Sequence, residues 1–232
     1  VTAYRVLKNT ERAGNVLLGA GCYAAVLQHR TNRNKVIKIG NTATDAWGGY
    51  FDDVISALPD NPHVPRVDSM YVDYQSDYYV ANMERLQSIM CDDFDADDED
   101  FNYSLKEELA TDIHEYIMGE IKWKHFKRTW KEYPQIVDLK SIRVLMDKII
   151  EQTDAFTEDD EEDLRRNYHE EELLEHRKID IHSNNIMFRG NAVVITDPWC
   201  GLFIEDHQSM DEYIDNPDRS NHEFNLTCWG TE

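Results

Sequence analysis

The stretch from Ile179 to Trp199, IDIHSNNIMFRGNAVVITDPW, constrains the chain more than any other. Ile186, Met187 and Phe188 read as a strand, Arg189-Gly190-Asn191 as a turn, and Ala192 to Thr196 as the returning strand, so a β-hairpin is expected. Such a hairpin brings Asn185 and Asp197 together at its open end, with Asp180 and His182 just ahead of them. An Asp, an Asn five residues on and a second Asp after a short hairpin suit phosphoryl transfer from a nucleotide. A carboxylate must orient or deprotonate the attacking hydroxyl, and magnesium needs hard oxygen ligands. Asp180 is the candidate base, and Asn185 and Asp197 are the candidate metal ligands. A buried hairpin with polar ends would carry the same letters, so signals upstream decide.

Residues 16 to 39, VLLGAGCYAAVLQHRTNRNKVIKI, are expected to form two strands joined by a turn at Thr31 to Asn34 and preceded by a Gly-rich bend. Gly19 and Gly21, with Val26 beyond them, allow the backbone to approach phosphates that a Cβ would keep away. Most G-x-G pairs are ordinary turns. Here a Val-Ile-Lys-Ile strand follows, and Lys38 among Val36, Ile37 and Ile39 is awkward unless it meets an anion or snorkels from an edge.

A helix is then expected from Asp45, capped by Thr44 and ended by Pro59. One of its acids, Asp45, Asp52 or Asp53, can pair with Lys38, and Asp52 is preferred. Strands follow around Met70 to Tyr74 and Tyr78 to Met83, with the bend at Asp77. Met83-Glu84-Arg85-Leu86 then reads as a short hinge whose backbone at Glu84 and Leu86 can hydrogen-bond a purine.

The run CDDFDADDED imitates the start of a calcium loop, but Asp98 stands where the loop needs Gly and Ser104 where it needs Glu, so an EF-hand is rejected. Ser104 with Glu107 is expected to cap a helix with Leu105, Leu109, Ile113, Tyr116 and Ile117 on one face. Lys122, Lys124, Lys127, Arg128 and Lys131 interleave with Trp123, Phe126 and Trp130. This segment is either a docking patch for an acidic or phosphate-bearing partner or the basic end of a helix. Ile136 to Ile150 is expected to be a core helix, and another should end near His176. With 24 basic against 46 acidic side chains the formal net charge is −22, which opposes binding to nucleic acid or anionic lipid and favours basic protein partners. No long apolar run or secretion signal is visible, and Cys22, Cys91, Cys200 and Cys228 form no C-x-x-C pair. A cytoplasmic protein with free thiols is expected.

Gly-rich turn, strand lysine, hinge, D-x-x-x-x-N and final metal Asp stand in the order of the protein-kinase-like fold, which the chain resembles. More closely, IDIHSNNIMF with VVITDP, together with LLGAGCYAAV and NKVIKIG, is similar to the early host-shutoff serine/threonine protein kinases of autographivirus bacteriophages, over residues 14 to 200. The resemblance implies an α+β, bilobal fold with a mainly β N-lobe (residues 1–86) and a helical C-lobe (residues 87–232), together one kinase domain. It also implies ATP and Mg²⁺ as cofactors, with Gly19, Gly21 and Val26 cradling the nucleotide, Lys38 on its phosphates, Asp180 in catalysis, and Asn185 and Asp197 on the metal. The partners implied are host bacterial proteins, phosphorylated in the host cytoplasm to redirect transcription or counter defence.

Departures from the ordinary protein-kinase pattern matter as much. His182 stands where serine/threonine kinases carry Lys, in which respect the loop is similar to aminoglycoside and choline kinases, so a small-molecule substrate is an alternative. The magnesium motif reads Asp197-Pro198-Trp199, where Pro198 restricts the backbone, and no A-P-E follows. An acidic binding protein that mimics nucleic acid on a kinase scaffold is the third reading.

Overall fold

The computed structural model describes residues 2–21, 23–42, 45–88, 99–153 and 177–201, and they form an α+β fold. Five strands, β1 (Val16–Ala20), β2 (Ala24–Gln28), β3 (Lys35–Gly40), β4 (Val67–Asp73) and β5 (Tyr78–Glu84), make one antiparallel sheet in the order β1-β2-β3-β5-β4. Where two strands were expected between residues 16 and 39 there are three, because the Gly-rich bend is flanked by a strand on each side. Asp77, at φ 50°, makes the expected bend between β4 and β5.

Side-chain alternation gives the sheet two faces. Ala25, Leu27, Ile37 and Ile39 pack with Ala3 and Leu7 of α1 (Ala3–Arg12), a helix the sequence reading did not anticipate. Its start is fixed by Thr2, whose hydroxyl accepts the Arg5 N–H at 3.4 Å. Val36, Tyr79, Ala81 and Met83 point the other way, into the larger core. Lys38 lies on that same face, opposite Val26 on β2 and Ala81 on β5.

The regular helix expected from Asp45 is replaced by one α-turn, α2 (Trp47–Tyr50), running straight into a π-helix, Phe51–Ile55. Thr44 lies outside the described residues. Gly48 and Gly49 contribute little helical preference, and the wider π turn lets Trp47, Tyr50, Val54 and Ile55 all be buried. Beyond the sheet, α3 (Glu99–Ile117), α4 (Trp123–Trp130) and α5 (Leu139–Thr153) build the helical side. α3 begins ahead of Ser104, so the Ser104–Glu107 pair falls inside the helix instead of capping it. Its Leu105, Leu109, Ile113 and Ile117 are buried as the periodicity predicts. α4 buries Phe126 and Trp130 and leaves Lys124, Lys127 and Arg128 exposed. Phe126 and Trp130 of the basic segment are therefore core, Trp123 is half-buried against them, and the cations face water.

The expected hairpin is present as β7 (Ile186–Arg189) and β8 (Ala192–Ile195), with Ile186 opposite Ile195 and Arg189 opposite Ala192. Gly190, at φ 61°, takes the first central position of its two-residue turn, as a type II′ turn requires. Two three-residue strands unforeseen in the sequence, β6 (Arg177–Ile179) and β9 (Trp199–Gly201), pair antiparallel around it. The helix expected to end near His176, and Cys22, Cys91 and Cys228, lie outside the described residues. Among those residues no helix is long and apolar enough to cross a membrane.

Candidate functional site

Lys38 and Asp197 come from opposite ends of the chain, 159 residues apart, and meet with Nζ 2.8 Å from Oδ2. Lys38 is buried on its strand, with Nζ also 4.8 Å from the centroid of the Trp47 ring. Burial pushes the Asp197 carboxyl up to about 7; Lys38 pulls against that, while the charges of Asp45 and Asp180 add to it. Its second oxygen, Oδ1, is buried without a hydrogen-bond partner. A buried acceptor in that condition costs on the order of 1–3 kcal/mol, and a bound cation would remove the cost.

The turn that opens the hairpin supplies the rest. A 3₁₀ turn, Ser183–Asn185, follows His182, whose Nδ1 accepts the Asn184 N–H at 3.2 Å. The Asn185 amide donates from Nδ2 to the Asp180 carbonyl at 2.6 Å and towards Asp180 Oδ2 at 3.4 Å. That leaves Asn185 Oδ1 as an acceptor. Thr196 donates both its N–H (2.9 Å) and its hydroxyl (3.0 Å) to the Asn185 carbonyl, which seats the residue before Asp197 against Asn185. An aspartate oxygen and an amide oxygen fit a hard cation such as Mg²⁺, which keeps several waters and takes further ligands from phosphate. Among the described residues no group of three or more His, Cys, Asp and Glu stands ready to hold a metal on protein ligands alone. His182 is exposed, with Nε2 3.7 Å from Asp180 Oδ1 and 3.1 Å from Asn185 Nδ2.

No protein-family model matches this chain, and no curated protein matches its sequence. Geometry alone therefore carries the assignment of the remaining residues. Gly19 pairs with Val26 across β1 and β2, and the Gly21 N–H donates to the Ala24 carbonyl at 2.8 Å. A Cβ on either glycine would meet nothing within 4 Å, so the loop borders open space. An open groove of about 440 Å³ runs between α3 and the turn, lined by Glu107, Thr111, His114, Ile181, His182 and Ser183.

Two expectations are corrected. Asp52, preferred as the partner of Lys38, is exposed on the π-helix, and Lys38 forms its ion pair with Asp197. The buried acid of that region is Asp45, which accepts the Tyr79 hydroxyl and, through Oδ1, the Trp47 N–H at 3.0 Å. At the hinge, the Glu84 N–H expected to be open to a purine is given to the Arg66 carbonyl at 3.0 Å, and the Glu84 side chain is engaged as well. It is clamped by Arg189, whose Nε donates to Oε2 at 2.8 Å and whose Nη2 donates to Oε1, and it accepts the Arg66 N–H at 2.8 Å. Leu86, buried beside it, enters none of the hydrogen bonds among the described residues.

Four side chains that the sequence reading did not single out for this role hold the hairpin. Arg189, read only as a turn residue, also donates to the Pro62 and Val64 carbonyls at 2.7 and 2.9 Å. His63 is buried, with Nδ1 2.7 Å from the Val193 carbonyl and Nε2 accepting the Asp138 N–H at 3.1 Å. Trp47 Nε1 donates to the Thr196 carbonyl at 3.1 Å, and the Tyr50 hydroxyl to the Ile195 carbonyl at 2.8 Å. The one signal available for them was chemical: polar or amphipathic side chains inside apolar stretches need buried partners.

Proposed function

We propose that the chain is an ATP-dependent serine/threonine protein kinase of the autographivirus host-shutoff kind, acting on proteins of a bacterial host. Its fold would be bilobal and protein-kinase-like, divided at residues 1–86 and 87–232. The observation that carries this reading is the 2.8 Å meeting of a strand lysine with an aspartate that follows an Asn-bearing hairpin. With ATP bound, Mg²⁺ would neutralise charge on the transferred phosphoryl group. The chain's residues divide the remaining work. Gly19, Gly21 and Val26 border the open space for the nucleotide, and the Leu86 backbone is available to the purine. Lys38 exchanges Asp197 for phosphate oxygens, which frees the Asp197 carboxylate, with Asn185 Oδ1, for the cation. Asp180, its loop held by the Asn185 amide, orients the substrate hydroxyl. That oxygen attacks the γ-phosphorus, the bond to the ADP oxygen breaks, and the hydroxyl proton passes to Asp180. Most of the acceleration comes from positioning and electrostatics. The −22 charge would steer basic substrates, an effect that fades above roughly 0.15 M salt, where the Debye length drops below about 8 Å.

A second reading, transfer to a small alcohol or aminoglycoside, is favoured by His182, which lines the open groove beside α3. Incubation with Mg²⁺ and γ-labelled ATP, with and without bacterial lysate, separates the two. Label on discrete proteins, lost in Asp180→Ala and Asp197→Ala, supports the protein kinase. Label confined to small molecules supports the second reading. No label and no ATP binding defeats both and favours the acidic decoy.

A further inference from the structure

We infer that Trp47 is a positioning residue that holds Lys38 and Asp197 in one arrangement, using the edge of its indole for one and the face for the other; the inference rests on the kinase reading above. A buried tryptophan needs an acceptor for its N–H, and any nearby carbonyl would satisfy it. The carbonyl it takes here is that of Thr196, at 3.1 Å. Because the peptide unit is planar, fixing the Thr196 carbonyl also fixes the N–H and the Cα of Asp197, the point from which its side chain leaves the backbone. The face of the same ring carries the Lys38 ammonium at 4.8 Å, a cation–π contact in a buried setting. One side chain thus holds both members of an ion pair from a third direction.

Trp47 is itself fixed tightly enough to transmit position. It is fully buried and stacked on Tyr79, with centroids 5.3 Å apart and planes at 18°. Tyr79 binds Asp45, and Asp45 in turn accepts the Trp47 N–H at 3.0 Å. This closed ring of contacts leaves the indole little freedom. Tyr50 provides a natural control. Its hydroxyl ties the neighbouring Ile195 carbonyl at 2.8 Å, inside β8, where the ladder already holds the backbone. Thr196 lies beyond the last ladder pair; its N–H and hydroxyl still return to Asn185, and the indole bond adds a hold on its carbonyl, the side that leads into Asp197.

The test compares Trp47→Phe and Tyr50→Phe with the unaltered chain in two readouts: the turnover number, and the gain in ATP affinity that Mg²⁺ confers, measured by calorimetry with and without the metal. Trp47→Phe keeps a ring for Lys38 and loses the N–H. It should lower turnover about 10- to 100-fold, as expected when reacting groups shift by a fraction of an ångström. It should also cut the Mg²⁺ gain about tenfold while leaving metal-free ATP binding unchanged. Tyr50→Phe should change either quantity by less than about threefold. Should Trp47→Phe fold poorly, the benzothiophene analogue of tryptophan introduced at position 47 retains the shape and lacks only the N–H, and the same losses are expected. Turnover and Mg²⁺ gain both unchanged in a folded Trp47 variant, or an equal loss in Tyr50→Phe, overturns the inference alone. An unaltered chain that neither binds ATP nor transfers phosphate overturns the kinase reading and this inference with it.

Discussion

The two rims of the site are built on opposite plans. On one side, the β1–β2 loop borders open space: Val16 and Leu18 are exposed, a Cβ at Gly19 or Gly21 would touch nothing within 4 Å, and β1 leans on the small core only through Leu17 and Ala20. On the other, Val193, Val194 and Ile195 are fully buried, and the hairpin is tied down by Trp47, Tyr50, His63, Arg189 and Thr196. A segment with few buried contacts opens at small cost in free energy, whereas one held at many points stays put until the whole domain unfolds. The loop side can close over a ligand. The hairpin side keeps Asp180, Asn185 and Asp197 where they already are, the preorganisation that the proposed phosphoryl transfer would require.

That contrast predicts a graded series of effects. Asp180→Ala, on the rigid side, should lower turnover about 10²- to 10⁴-fold with ATP binding retained, as for loss of a general base; steady-state kinetics with calorimetric ATP titration checks it. Arg189→Ala leaves the half-buried Glu84 without its cation and strips two carbonyls of donors. It should destabilise the fold by roughly 3–5 kcal/mol, read from denaturant midpoints.

His63 gives a smaller, pH-dependent effect. Burial pushes its pKa below the usual 6.5, against the opposing pull of the Val193 and Asp138 contacts, and Arg189 adds to the lowering. The unfolded chain protonates His63 first as pH falls. The clamp's contribution is therefore complete above about pH 6.5 and is lost as pH drops through the lower folded value. Asp197 acts in the reverse sense. Its folded value near 7 lies above the unfolded 3.8, so its contribution is lost as pH rises through about 7. The histidine part is isolated by comparing the unaltered chain with His63→Gln at pH 7.5 and 5.5, where the stability difference between them should shrink at the lower pH.

The smallest effect belongs to the loose rim. Gly19→Ala should leave stability within about 0.5 kcal/mol while weakening ATP binding. If it costs as much stability as Arg189→Ala, the two rims are not built differently after all.

The hairpin was legible in the sequence because its signals are local: an apolar run, a Gly turn and a β-rich return. The periodicity of α3 and the bend at Asp77 were legible for the same reason. The identity of the buried acid was not. Choosing Asp52 assumes a 3.6-residue period, and the π-helix leaves Asp52 exposed, while Asp45, ahead of the helix, is held inside by the Trp47 N–H and the Tyr79 hydroxyl. Arg189 looked like part of a turn because its partners, Pro62, Val64 and Glu84, lie more than a hundred residues away. β6 and β9 are three residues each, too short for any alternation to show. The tie from Trp47 to Thr196 depends on how α2 packs against the hairpin, which no pattern within either segment encodes.

β6 and β9 place Arg177 opposite Gly201, so the segment that carries Asp180, Asn185 and Asp197 begins and ends side by side. In engineering terms the stretch between them is a cassette with adjacent ends. Sequence spliced in before residue 177 or after residue 201 would hang from one edge, leaving the cassette's own geometry undisturbed. Length added at that edge would leave the register of the β7–β8 hairpin inside it unchanged.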